Sequence, residues 1–157
     1  MAKALHQRLP GDLVAALSQS SLRRRLRRVL PLVTLDDRMR PHPMLCSYLE
    51  ILAVNATTIR VAIARQGRSA RNLAARKVAT LMVVEPERIV YVKCRAAGAP
   101  LTVGGLTRFV LKVQGVEIDA ADPSEGPVRI TSGIRYGPPP SLDDPRVRLT
   151  LDALRRN

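Results

Sequence analysis

The stretch Arg65-Gln66-Gly67-Arg68-Ser69-Ala70-Arg71-Asn72-Leu73 gathers residue types that bind an oxyanion. A strand-like run ends near Ala64, and Gly67 lets the backbone turn sharply. The spacing then predicts a short helix over residues 69–76, with Ser69 as its N-cap. First-turn amides of a helix lack intrahelical acceptors and carry partial positive charge, which favours an anion beyond the N-terminus. Arg68 and Arg71 add planar forks that match phosphate oxygens, and the Ser69 hydroxyl can donate to an anion or cap the helix. An ordinary capped helix with two surface arginines has the same local pattern. Both readings stand at this level.

Other chemistries are excluded by residue type and spacing. No Gly-x-Gly-x-x-Gly follows a strand, and no Gly-x-x-x-x-Gly-Lys occurs, so neither a dinucleotide fingerprint nor a P-loop is present. The two histidines, His6 and His42, stand apart in unpatterned settings and offer no metal cluster. A hydrolytic triad would need His42 as its base, and that residue reads better as part of a rigid turn between Pro41 and Pro43. Cys46 and Cys94 sit at strand positions that suit small core side chains. The pairs Asp36-Asp37 and Asp143-Asp144 read as capping or solvated carboxylates rather than an acid–base couple.

The elements that must position these residues belong to a chain of 157 residues, long enough for one domain with a real core. Hydrophobic residues make up 46% and charged residues 25%, which excludes a disordered chain. The balance of 26 basic against 13 acidic residues gives a net charge of +13 and favours anionic partners. Of the basic residues 22 are arginine, a bias that a GC-rich genome produces by itself. With no Trp, one Phe and three Tyr, the chain lacks the stacking surfaces of single-stranded nucleic-acid binders. No run approaches a transmembrane length and no secretory signal is evident, so the expected location is the cytoplasm.

Hydrophobic periodicity predicts a helical segment over residues 12–30, with Asp12 as N-cap, an interruption at 18–21 and Pro31 as its stop. Leu22, Leu26, Val29 and Leu30 would form its apolar stripe, and Arg23, Arg24, Arg25, Arg27 and Arg28 its basic face. Strands are expected over 44–54, 58–64, 78–84 and 89–96, the first two forming a hairpin about Asn55-Ala56-Thr57. Gly98-Ala99-Pro100 should break the chain. Residues 106–119 then carry one curved strand or two, with Gly115 as a bulge, and 128–132 a further short strand. After the Pro-rich loop at 137–140, Asp144 should cap a final helix lined by Val147, Leu151 and Leu154. The expected architecture is mainly β, a small antiparallel barrel with helices: an N-terminal helical segment (1–40), a barrel (41–134) and a loop with a C-terminal helix (135–157) in one domain.

Residues 58–63, Arg68-Ser69-Ala70-Arg71-Asn72-Leu73 and Val78-Ala79-Thr80-Leu81-Met82-Val83-Val84 together resemble the pyridoxamine 5'-phosphate oxidase-like, FMN-binding split-barrel superfamily. The run Arg88 to Ala96 fits the family's next strand, and the likeness spans residues 41–120. It implies a six-stranded antiparallel split β-barrel that pairs into a homodimer, with FMN in grooves built from both chains. By this resemblance Arg68, Ser69 and Arg71 hold the FMN phosphate, with Asn72 nearby. By position, Ser47, Tyr48 and Leu49 on one strand and Arg60 and Ala62 on the next support the ring. Pyridoxamine-phosphate oxidases proper carry Ser-Arg-Lys in this turn and C-terminal motifs with Trp and Arg-x-His. This chain has Ser69-Ala70-Arg71 and no Trp, which argues against pyridoxal-phosphate synthesis.

The resemblance therefore implies an FMN-binding oxidoreductase acting on a small molecule, with a nicotinamide as a candidate partner. Hydride transfer at a flavin needs no acid–base constellation from the protein. One alternative is a split-barrel binder of flavin, haem or a regulatory ligand without turnover. The other is an Arg-rich protein of nucleic-acid or membrane surfaces, which the low aromatic content disfavours.

Overall fold

The computed structural model describes residues 3–127 and 129–157. Period-2 burial organises most of it. In β6 (Val78–Glu85) the buried positions are Ala79, Leu81 and Val83, and in β7 (Arg88–Val103) they are Val90, Val92, Cys94, Ala96 and, at its end, Val103. These strands meet β2 (Val29–Leu35), β5 (Thr58–Ala64) and β8 (Leu106–Ala120) around one main core, with Leu32, Ile51, Ile59, Val61 and Leu81 almost fully buried. Each such side chain contributes about 1.5–3 kcal/mol relative to exposure.

Eight strands are present among the described residues, all paired antiparallel. Seven lie on one path, in the order β3-β2-β6-β7-β8-β5-β4, where β3 is Pro41–Ser47 and β4 is Ile51–Asn55. The eighth, β1 (Lys3–His6), pairs with the distal half of β8. The sheet is not closed by hydrogen bonds, since β3 and β4 end the path; a short 3-10 turn, Tyr48–Glu50, joins them through the chain. Helix α2 (Arg68–Arg76) packs against β2, β3, β5 and β7, with Leu73 fully buried. The mainly β, antiparallel expectation holds, and the count of six strands is corrected to eight.

The N-terminal third differs most from expectation. Helix α1 is only Gly11–Leu17, with Pro10 rather than Asp12 at the N-cap. Asp12 instead lies in its first turn, where it pairs with Arg88 at 2.5 Å; Arg88 also holds Glu85 at 2.6 Å, tying α1 to the β6–β7 turn. Leu22–Arg25 is one 3-10 turn, and Val29 begins a strand. Pro31 does not stop a helix. It sits in β2 opposite Leu45, outside the Leu32–Thr34 stretch that pairs with β6, so its missing N–H falls where only one neighbour is paired. The arginines of this region are partly spent on structure: Arg25 lies 5.6 Å from the Tyr48 ring centroid, and Arg27 Nε donates to Tyr136 O at 3.1 Å.

Elsewhere the corrections are smaller. The run at 44–54 divides into β3, the 3-10 turn and β4, and β4 pairs with β5 in the expected hairpin. Gly98-Ala99-Pro100 does not end a strand, because β7 absorbs it as an irregularity between Ala97 and Leu101, with Gly98 at φ +70°. Residues 106–119 lie in one strand, β8, whose register against β7 shifts between Lys93↔Gly115 and Cys94↔Val113, a bulge beside the expected Gly115. Val128 lies outside the described residues, and 129–132 form no strand. Helix α3 (Pro145–Arg155) is capped as expected, Asp144 accepting from Arg146 N at 2.8 Å, and it buries Leu151 and Leu154.

Candidate functional site

The turn from β5 into α2 is built by Gly67. Its N–H donates to Ala64 O at 3.0 Å, and a Cβ there would lie 3.1 Å from the same oxygen. Gly67, not Ser69, is the N-cap, and the helix begins at Arg68. Ser69 is buried and makes no cap bond, so the expected hydroxyl cap is corrected. Arg68 and Arg71 are exposed, and neither forms an ion pair among the described residues. Asn72 points the other way: its Nδ2 donates to Thr34 Oγ1 at 3.0 Å, and Thr34 Oγ1 donates to His42 O at 3.3 Å. This buried chain fixes α2 against β2 and β3. Asn72 therefore orients the helix, and its amide group is already occupied.

Two clefts flank this helix start. One, of about 530 Å³, is lined by Asp36, Arg38, Arg40, Arg68, Arg71 and Arg76, with Asn72 at its wall. Asp36 accepts from the backbone N–H groups of Arg38 and Arg40 and from Arg40 Nε, each at 2.9 Å, which holds its carboxyl down to about 2. It thereby neutralises Arg40 and shapes the β2–β3 loop, leaving Arg38, Arg68, Arg71 and Arg76 against one carboxylate, Asp37. The second cleft, of about 220 Å³, is lined by His42, Met44, Ile63, Ala64, Ser69 and the Arg68 side chain that borders both.

The other expected site residues lie elsewhere. Ser47 caps the 3-10 turn: Leu49 N donates to Ser47 Oγ at 3.2 Å, while Ser47 N donates to Glu50 Oε2 at 2.6 Å. Burial pushes the Glu50 carboxyl up, against the pull of those Ser47 bonds. Tyr48 and Leu49 are core side chains. Arg60 Nη1 donates to Leu154 O at 3.0 Å, and Ala62 lies fully buried with Val103, Ala153 and Leu154 beneath α3. Within one chain, then, Arg68, Arg71 and Asn72 line one cleft, Ser69 lines the adjoining one with Arg68, and Ser47, Tyr48, Leu49, Arg60 and Ala62 are part of neither.

Sequence reasoning missed Arg38 and Arg40, which sit across the cleft from α2. Their signal was Asp36 before a tight turn with Met39 at φ 60°. Cys46 and Cys94 are core residues as expected, with the Cys94 thiol pushed up to about 12 by burial. Among the described residues no group of three or more His, Cys, Asp or Glu could hold a metal, and no helix is long and apolar enough to cross a membrane.

No protein-family model and no curated protein matches the sequence. Solved structures do match the fold. A candidate pyridoxamine 5'-phosphate oxidase from Lactobacillus delbrueckii is 13% identical with a TM-score of 0.56, over 74% of this chain and 98% of that one. An FMN-binding protein from Syntrophomonas wolfei is 13% identical with a TM-score of 0.54, over 71% and 89%. A haem-binding protein from Mycobacterium smegmatis is 15% identical with a TM-score of 0.50, over 73% and 59%. At these identities the likeness is one of fold alone.

Proposed function

We propose, from that fold and the cleft at α2, that the chain binds FMN and seats its phosphate at the start of α2, between Arg68 and Arg71. The observation that carries this reading is two guanidinium groups, Arg68 and Arg71, that form no ion pair among the described residues and line a 530 Å³ cleft along α2, with Arg68 also bordering the adjoining cleft at the helix start. That volume falls inside the roughly 300–1,000 Å³ range of small-molecule sites. The residues fit a dianionic head: Arg68 and Arg71 supply forks, Arg38 and Arg76 add field, and Asn72 keeps the helix in place. FMN, when bound, supplies hydride and electron transfer, so the protein's own part is anchoring and orientation. An oxidoreductase acting on a small molecule, with a nicotinamide as donor and a homodimer completing the groove, is the fuller form of this proposal.

Haem is the second reading. It is favoured by His42 and Met44, both of ligand type, lining the adjoining cleft. That cleft measures about 220 Å³, below the roughly 300–1,000 Å³ usual for ligand sites, which places haem behind flavin. An absorbance spectrum of the full chain mixed with FMN, or with haemin, and then desalted separates the two. Retained flavin bands are expected. A Soret band with no retained flavin would replace the first reading by the second, and a colourless protein from both mixtures would overturn both.

A further inference from the structure

Across the sheet from α2, the outer faces of β5 and β8 carry a second arginine pair. Arg60 and Arg108 are diagonal neighbours on adjacent strands, since Arg60 opposes Val110 and Ala62 opposes Arg108. Arg108 is only 8% exposed. Neither forms an ion pair among the described residues, and the Nε of each is buried with no hydrogen-bond partner. Their partners are neutral carbonyls at the end of α3: Arg60 Nη1 donates to Leu154 O, and Arg108 Nη1 to Arg156 O. Arg60 is half-buried with only its Nε sealed off, whereas Arg108 is buried as a whole; holding two like charges side by side there without a counterion is costly, and a buried guanidinium requires an anion or a full set of acceptors.

We infer that Arg60 and Arg108 form an anion site for a compact oxyanion of the phosphomonoester class, and that the last turn of α3 is its displaceable cap. The carbonyl end of a helix carries about half a negative charge, so it substitutes for an anion incompletely. It satisfies one nitrogen of each arginine and leaves both Nε atoms idle. A phosphate could engage Nε and Nη of both arginines with charge-assisted bonds about twice as strong as those to a neutral carbonyl. Both Nε atoms are sealed from solvent while α3 is docked, so occupancy requires the turn to lift. The last turn packs on a small core, Ala62, Val103, Ala153 and Leu154, while Leu151 before it anchors the rest of α3 in the main core. The last turn can therefore open without unfolding the sheet. This inference stands on burial and pairing alone and does not depend on the site at α2.

Hydrogen exchange of the full chain, in inorganic phosphate against sodium chloride of matched ionic strength, tests it. Phosphate should accelerate exchange of the α3 amides while those of β6 and β7 stay protected. In Arg108→Gln the phosphate concentration giving half the effect should rise by about tenfold, as for the loss of one charge-assisted fork. Arg60→Gln should behave alike and serves if Arg108→Gln does not fold. In the Arg68→Ala, Arg71→Ala double variant the response should persist. An α3 indifferent to phosphate, an unchanged response in both glutamine variants, or a response abolished by the α2 variant would each overturn the assignment. A phosphate borne by FMN and free phosphate share this chemistry. If FMN at equal concentration lifts α3 in the α2 double variant, its phosphate is one source; if only free phosphate does, the site takes a different phosphorylated ligand.

Discussion

Arg71 and Asn72 are adjacent in sequence and opposite in role. Asn72 faces inward and donates its amide to Thr34, while Arg71 lines the cleft and forms no ion pair among the described residues. The anion-binding types at 67–73 were legible because they need only local spacing. Whether Ser69 capped or contacted a ligand was not, since that depends on which face of α2 the core claims. Once Leu73 and Ala70 pack inward, Ser69 goes with them and Gly67 takes the cap. Asp36 gives a pH test at this scale. Its bonds to Arg38 and Arg40 exist only in the folded loop and hold the carboxyl at about 2, below the ordinary 3.8. The folded state therefore binds this proton more weakly. Its stabilising effect is present above the ordinary carboxylate range and lost as pH falls through about 2. A carbon-detected NMR titration should place the Asp36 midpoint near 2, and a midpoint at the ordinary value would show the loop to be open in solution.

Elements were legible where alternation ran unbroken, as in β6, β7 and β8, and obscured where prolines interrupted it. Leu30, Leu32 and Thr34 alternate inward along β2, yet Pro31 between them reads as a helix stop and Leu26-Val29-Leu30 supplies false helical spacing. Only pairing with β3 and β6 reveals the strand, and pairing is not local information. The same holds for β7, where Gly98 bends a strand that the partner β8 holds together. Helix α2 ends on Lys77 in the left-handed region at φ 61°, its N–H donating to Leu73 O at 3.0 Å. A side chain there costs roughly 1–2 kcal/mol of backbone strain, part of which glycine returns as lost entropy. Lys77→Gly should raise stability by about 0.5–1 kcal/mol, read as a higher denaturant midpoint at unchanged slope. A lower midpoint would show that the lysine side chain contributes more than its conformation costs.

At the scale of the whole molecule, an open antiparallel sheet bridged by one 3-10 turn leaves two outer regions where arginines are unbalanced by carboxylates. A net charge of +13 favours an anionic partner but does not say where on the molecule it would bind. Location came from the fold: β5 carries Arg60 beneath α3 and delivers Arg68 and Arg71 at its far end. The resemblance grouped Arg60 and Ala62 with the α2 turn, and the chain instead covers them with its last helix. That covering is a tertiary event set by Leu154 and Ala153, invisible to a motif confined to 41–120.

The phosphate anchor at α2 is tested most directly by comparing FMN with riboflavin, which differ by the phosphate alone, in fluorescence-quenching titrations of the full chain at fixed salt. FMN should bind more tightly than riboflavin, by about 1–3 kcal/mol, the worth of charge-assisted bonds to Arg68 and Arg71. Replacing both arginines with alanine should bring the two affinities together by weakening FMN alone. Equal affinities in the unaltered chain, or an FMN preference that survives the double replacement, would contradict the account.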